Sequence, residues 1–261
     1  MSELLTGKTA IIYGGGGGIG AGVATTFARE GAHVVVAGRT RGTLDAVVDA
    51  ITATGGSAEA AVVDALDETA VDEQLQALVA RSGRLDVSMN LIRRGDVQGT
   101  PLIQMSADDL LRAVDNGLRG NFIPARAAAR HMVEQGSGVI LHLNSASGSG
   151  AHPGMGSTGP ADAATEAFMR YLAVEVGPSG VRVCGIWTAG VKETLSRAKF
   201  AEVLGDNAPD VSAVEQMISG MSVLRRVPRL AEVAETAAFL ASDRAAGITG
   251  SITNVTAGLV L

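Results

Sequence analysis

The densest chemical signal in the chain is a run of five glycines, Gly14 to Gly18. It lies between the apolar stretch Thr9-Ala10-Ile11-Ile12-Tyr13 and a helix-patterned segment beginning near Ile19. A strand that turns sharply into a helix leaves unpaired N–H groups at the helix N-terminus, where the helix dipole adds partial positive charge. Such a turn binds phosphate, provided that no Cβ stands between backbone and anion. Gly15, Gly17 and Gly20 satisfy G-x-G-x-x-G, while Gly14, Gly18 and Gly20 satisfy G-x-x-x-G-x-G. No Gly-Lys-Ser/Thr follows, which excludes a P-loop. The expectation is a dinucleotide pyrophosphate site on Gly14, Gly18, Ile19 and Gly20.

A second chemical signal closes the next strand, Ala37-Gly38-Arg39-Thr40-Arg41. An acid in this place would hold ribose hydroxyls and repel a 2′-phosphate, whereas a guanidinium grips the phosphate through paired charged hydrogen bonds. Arg39, with Arg41 behind it, therefore favours NADP(H) over NAD(H). Two solvated loop arginines are the plainer alternative.

These residues need a frame. Strand-like runs fall at 8–13, 33–37, 58–63, 85–90, 138–144, 181–187 and 250–255; helix-like segments fall at 18–30, 42–54, 67–81, 106–134, 157–176 and 231–241. Continuous runs such as Val34-Val35-Val36 mark strands buried on both faces, as a parallel sheet requires. The prediction is an α/β fold, a single Rossmann-like domain over 1–261 with a doubly wound, seven-stranded parallel sheet and helices on both faces. Segment 188–225, with Gly205, Pro209, Met217 and Met221, follows the sixth strand with little pattern; a substrate lid and a surface insertion both fit. On the fourth helix, Arg112, Arg119 and Arg126 recur at seven-residue spacing, with Asp108 and Asp115 each four residues before an arginine, as on a salt-laced solvent face.

With 261 residues the chain suits one α/β domain, and a net charge of −6 with no basic tract argues against nucleic acid. Only Lys8, Lys192 and Lys199 are lysines, and Tyr13 and Tyr171 are the only tyrosines. The single cysteine, Cys184, excludes an intrachain disulfide and reads as core filler. Without a signal pattern or a membrane-length apolar run, the expectation is a cytoplasmic protein with no membrane partner.

In order and spacing, these segments resemble the short-chain dehydrogenase/reductase family over nearly the whole chain. Gly7-Lys8-Thr9 through Gly20 is similar to the family's first strand and T-G-x-x-x-G-I-G turn, with Tyr13 in place of threonine. Asp64 matches the acid near the adenine, Leu85 to Asn90 the run into N-N-A-G, and 226–250 the C-terminal signature. The resemblance implies cofactor contacts from Asn90 and Thr194, a substrate-orienting serine at Ser145, a small-molecule substrate and a homo-oligomer, often a tetramer, built partly through the fourth and fifth helices.

The resemblance breaks where the family keeps its proton relay. Counting back from Ala173-Val174-Glu175, the tyrosine slot falls on Thr158 and the lysine slot on Asp162; Gly117 stands in the asparagine slot, beside Asn116. No tyrosine or lysine occurs between Ser145 and Tyr171, so a shifted alignment restores neither. A threonine hydroxyl is a poor proton donor beside a phenol, and an aspartate disfavours a neighbouring oxyanion. His152 is a candidate proton carrier or a loop histidine; His142 reads as packing. Arg93 is expected to pair with Asp162, which could otherwise accept ribose hydroxyls. Two functions follow: an NADP(H)-dependent oxidoreductase with a modified relay, or a non-catalytic NADP(H)-binding sensor or partner subunit. A third outcome is a nucleotide cleft filled by Tyr13 or Arg93. No residue pattern names a metal or a particular substrate.

Overall fold

The structure, a computed structural model, describes residues 3–204 and 208–260. Seven parallel strands form one sheet in the order β3-β2-β1-β4-β5-β6-β7. They span β1 Thr9–Tyr13, β2 His33–Gly38, β3 Ser57–Val62, β4 Val87–Asn90, β5 Gly138–Ser145, β6 Val181–Thr188 and β7 Ile252–Val255. The helices are α1 Gly18–Arg29, α2 Arg41–Ala53, α3 Glu68–Ser82, α4 Ala107–Gln135, α5 Thr158–Val176, α6 Arg197–Leu204, α7 Val211–Met221 and α8 Leu230–Ala241. The expected α/β sheet is thus present, and every expected strand and helix is found with small shifts at the ends. β7 starts two residues late because Gly250 takes a positive φ of 66°, a turn conformation.

Alternation along the strands feeds two cores. Ile12, Val34, Val36, Met89 and Leu141 pack on one face with Val23 and Phe27 of α1 and Val233 and Ala237 of α8. Ile11, Tyr13, Val35 and Ile140 pack on the other with Leu75 of α3, Ala128 and Met132 of α4 and Met169 of α5. Both faces are covered, which explains the uninterrupted apolar strands. Cys184 lies in the first core, its thiol donating to the Ile248 carbonyl at 3.2 Å. Burial pushes that thiol up, so it stays protonated.

Segment 188–225 is more regular than its sequence suggests. It carries α6 and α7, and Val214 and Ile218 form a small satellite core with Val227. Gly205 lies outside the described residues. On α4, Arg119 pairs with Asp115 at 2.7 Å as expected, but Arg112 pairs at 2.7 Å with Asp109, one residue on from the expected Asp108. Arg126 leaves the row: it reaches Glu68 of α3 at 2.5 Å and covers the Phe122 ring.

The register brings Tyr13, Ala37 and Asn90 level across β1, β2 and β4. The chain crosses over between β3 and β4, so β1 and β4 flank the switch point, where ligands of such sheets bind.

Candidate active site

The strand ends frame a cleft of about 570 Å³, lined along its length by Gly14, Gly16, Gly17, Arg39, Asp64, Leu91, Ile92, Arg94 and Asn116, among others. That volume is in the range of small-molecule sites. Its floor is the glycine turn. Gly14 adopts φ 79°, and a Cβ on it would come within 2.6 Å of the Leu91 carbonyl oxygen. A Cβ on Gly20 would lie 2.2 Å from the Gly14 oxygen, so α1 can begin this close to β1 only with glycine there. Gly17 caps α1 without any side-chain hydrogen bond, leaving the first-turn N–H groups to a ligand. Gly18 and Ile19 open this helix, and a Cβ on Gly18 would sit 3.0 Å from Thr194 Cγ2, which places Thr194 against the turn. These donors suit a pyrophosphate, and the residues present fit a dinucleotide.

At one end of the cleft Arg39 is exposed on the wall, whereas Arg41 is committed to Asp45 at 2.8 Å. Asp64 accepts from the Leu66 N–H at 3.0 Å, which fixes the loop after β3. Tyr13 does not fill the cleft: its side chain belongs to the second core and its hydroxyl is buried without a hydrogen bond. Burial, and secondarily the charge of Asp72, raises its pKa far above the usual phenol value, which removes it from proton exchange.

Asn90 has a role that motif matching does not reveal. Its Nδ2 donates to the Gly120 carbonyl and its Oδ1 accepts from the Ile92 N–H at 3.2 Å. Pro124, inside α4, has no N–H to offer the carbonyl four residues earlier, and that carbonyl is Gly120's. Asn90 therefore satisfies the group that Pro124 leaves free and pins α4 to β4. The signal was in the sequence, as a proline four residues after a glycine in a long helix, but its partner was not.

Arg94 lines the other end of the cleft, and Ser145 and Asp162 lie behind it. Ser145 ends β5, and its Oγ donates to Asp162 Oδ2 at 2.5 Å while accepting from the Ser147 N–H at 3.3 Å. Asp162 is wholly buried, and its remaining oxygen accepts from Arg94 Nη1. Arg94 Nη2 also lies 3.1 Å from Asp96. The guanidinium reaching Asp162 is thus that of Arg94, the neighbour of the expected Arg93; Arg93 stays exposed on the cleft wall. Gly117 explains how Arg94 enters, because a Cβ there would stand 2.7 Å from Arg94 Cδ. Asn116 supports the loop by donating to the Arg94 carbonyl at 3.1 Å. Gly117, Arg94, Asp162 and Ser145 thus form one connected set of contacts. Sequence reasoning gave Arg93 rather than Arg94 as the partner of Asp162, although Gly117 signalled the space that Arg94 uses.

Burial pushes the Asp162 carboxyl up, and Arg94 and Ser145 draw it back only in part. Burial alone would lower the Arg94 pKa, but Asp162 and Asp96 together raise it.

Thr158 is buried, its hydroxyl accepting from Gln98 at 3.1 Å. Ser157 joins the same loop through two 2.8 Å hydrogen bonds with the Val97 backbone. His152 is exposed in the segment before α5. His142 is buried beneath α5, where burial lowers its pKa to about 4 and keeps it neutral. Tyr171 is 74% exposed on α5. Among the described residues no cluster suits a metal ion and no helix is long and apolar enough to cross a membrane.

Comparison with known proteins agrees with this architecture. The family profile described as Enoyl-(Acyl carrier protein) reductase matches residues 15–260. The chain is 30% identical over 260 residues to a 3-oxoacyl-[acyl-carrier-protein] reductase of Chlamydia muridarum, covering 99% of this chain and all of the relative. It is 32% identical over 250 residues to a hydroxynaphthalene reductase of Aspergillus fumigatus, covering 94% of this chain and 90% of that one. A short-chain type dehydrogenase/reductase from Mycobacterium ulcerans superposes with a TM-score of 0.86 at 28% identity, over 98% of this chain and 90% of that chain. A 7 alpha-hydroxysteroid dehydrogenase complexed with NADH gives 0.83 at 28% identity, over 98% and 96%. Sheet order, glycine turn and full-length similarity converge: the chain belongs to the short-chain dehydrogenase/reductase family.

Proposed function

We propose that this protein is an NADP(H)-dependent oxidoreductase acting on a small carbonyl or alcohol, with a Ser145–Asp162 couple in place of the tyrosine–lysine relay. The observation that carries this reading is the 2.5 Å hydrogen bond from Ser145 Oγ to a buried carboxylate beside the cleft. Gly14, Gly18, Ile19 and Gly20 would hold the pyrophosphate, Arg39 the 2′-phosphate, Asp64 the adenine side and Thr194 the far half. When bound, the nicotinamide exchanges a hydride with the substrate carbon. Ser145 orients the substrate oxygen. In alcohol oxidation Ser145 Oγ takes the hydroxyl proton as its own proton passes to Asp162 Oδ2; in carbonyl reduction both transfers reverse. Arg94 holds the carboxylate in place. His152 remains a proton carrier to solvent in this scheme. Exposed Tyr171 and Val174 on α5 and Phe122 on α4 support a homo-oligomer built through these helices.

A second reading, a non-catalytic NADP(H)-binding subunit or sensor, has its own support. The Thr158 hydroxyl is occupied by Gln98, and the loop 94–99 is tied to the segment around α5. Calorimetric titration with NADPH, NADP⁺, NADH and NAD⁺ tests the shared part. NADPH should bind at least tenfold more tightly than NADH, with Arg39→Ala removing the difference; equal affinities would exclude the 2′-phosphate role. A carbonyl and alcohol panel followed by nicotinamide absorbance then separates the readings. Turnover abolished by Ser145→Ala supports the enzyme, and binding without turnover supports the sensor.

A further inference from the structure

The glycine turn by itself offers a phosphate only partial charge. Its donors are backbone N–H groups at the start of α1, where the helix dipole amounts to about half a positive charge. A pyrophosphate carries two full negative charges, so a side-chain cation beside the turn has work to do. The structure brings one there from outside the glycine run. Gly17 and Gly18 are exposed. Thr194 lies against the turn, since a Cβ on Gly18 would stand 3.0 Å from its Cγ2 and 3.5 Å from its Cβ. Thr194 is itself fixed, its hydroxyl donating to the Val191 carbonyl at 3.0 Å. Lys199 of α6 then donates from Nζ to Thr194 Oγ1 at 3.4 Å. One threonine side chain thus links an ammonium to the first residue of α1.

The other charges on this side are placed differently. Arg39, Arg93 and Arg94 line the cleft wall, with Asp64 as the acid among the lining residues. Arg94 is held between Asp96 and Asp162. Glu193, beside Thr194 in sequence, accepts from the Leu230 N–H at 2.8 Å, which ties it to the start of α8. Of the other two lysines, Lys8 precedes β1, at the strand ends away from the turn, and pairs with Asp243 at 2.8 Å; Lys192 is exposed. We propose that Lys199 is a phosphate-binding residue, its ammonium contacting the pyrophosphate on the Thr194 side of the glycine turn. This rests on the reading of the cleft as a dinucleotide site. Lysine carries its charge on a flexible four-carbon stem, so a bound phosphate can draw the ammonium from its present contacts toward the turn. Phe200, the next residue, packs against the satellite core of Val214, Ile218 and Val227. A phosphate held by Lys199 therefore also braces α6 and α7, the segment that follows β6.

The experiment is calorimetric titration of the full chain with NADPH, at low and at high salt, for the wild type, Lys199→Met and Lys199→Arg. Circular dichroism on each variant reports folding. Methionine keeps much of the apolar stem without the charge, whereas arginine keeps the charge and grips phosphate through its own fork. Losing one charge-assisted hydrogen bond should weaken NADPH binding about tenfold in Lys199→Met at low salt. Lys199→Arg should bind within about threefold of the wild type. The gap between wild type and Lys199→Met should narrow at high salt, because screening weakens what the ammonium contributes. Unchanged affinity in Lys199→Met would overturn the proposal while leaving the dinucleotide reading intact. So would a loss that arginine fails to recover, or one that salt does not narrow, since either marks a structural role. Failure of the wild type to bind NADPH would overturn both.

Discussion

The two ends of the cleft are built in opposite ways. Around Gly14 to Gly20 the available polar groups are backbone N–H donors, and the requirement on the sequence is that side chains be absent. Around Ser145 the groups are side chains that hold each other: Arg94 to Asp162, Asp162 to Ser145, Gln98 to Thr158. A backbone site tolerates change only where a Cβ fits, so it keeps its glycines. A side-chain site can exchange its members as a set, provided that volume and charge are made good together. Here Gly117 supplied the volume and the Arg94–Asp162 pair much of the charge balance. One end thus depends on side chains that are missing, the other on side chains that hold each other.

The sharpest way to break this contrast is Arg94→Ala. It leaves Asp162 buried without its cation and should cost about 4 kcal/mol in denaturant unfolding. The double variant Arg94→Met with Asp162→Asn should recover most of that, because the charges leave together. A single-variant loss under about 1 kcal/mol would place the pair among weak surface bridges and end the argument that this end is held by its side chains.

A smaller effect concerns β5, the strand that presents Ser145. His142 is neutral in the folded protein, with a pKa of about 4 against an ordinary value near 6.5. The unfolded chain therefore binds a proton first as pH falls. This part of the stability is complete above pH 6.5, declines below it and is lost by about pH 4, a total near 3 kcal/mol. Comparing urea midpoints at pH 7 and pH 4.5 for wild type and His142→Met tests this; the variant should lose less, and identical losses would count against it.

The backbone end is probed by Gly20→Ala. Its Cβ would meet the Gly14 oxygen at 2.2 Å and Gly15 Cα at 2.8 Å, both backbone atoms that cannot rotate away. A destabilisation of about 2 kcal/mol is expected, with loss of NADPH binding by calorimetry. Normal binding by a folded variant would show that the turn accommodates a side chain.

Legibility follows the same division. Strand order and helix positions could be read because alternating burial and unbroken Val/Ile runs repeat over many residues, and each run is a local property of the chain. The glycine turn was legible for the same reason. Around Ser145, the lack of a phenol and an ammonium could be read from residue types alone, since no tyrosine or lysine lies between Ser145 and Tyr171. Which arginine pairs with Asp162 could not. Arg93 and Arg94 are adjacent in sequence, and only the direction of the loop leaving β4, with the gap at Gly117, sends Arg94 to Asp162 while Arg93 stays exposed. Segment 188–225 also resisted, because two short helices around a three-residue satellite core give too little periodicity to detect.

The sequence by itself determined the α/β frame, the glycine turn and the lack of any tyrosine or lysine between Ser145 and Tyr171, because each depends on residue type and near-neighbour spacing. Tertiary structure decided the rest: that Asn90 serves the carbonyl freed by Pro124, that Tyr13 turns into the core, and that Ser145, Asp162, Arg94 and Asp96 form one charged chain. Those contacts join residues up to 68 positions apart, and their partners are fixed only when β4, β5 and α5 are packed together.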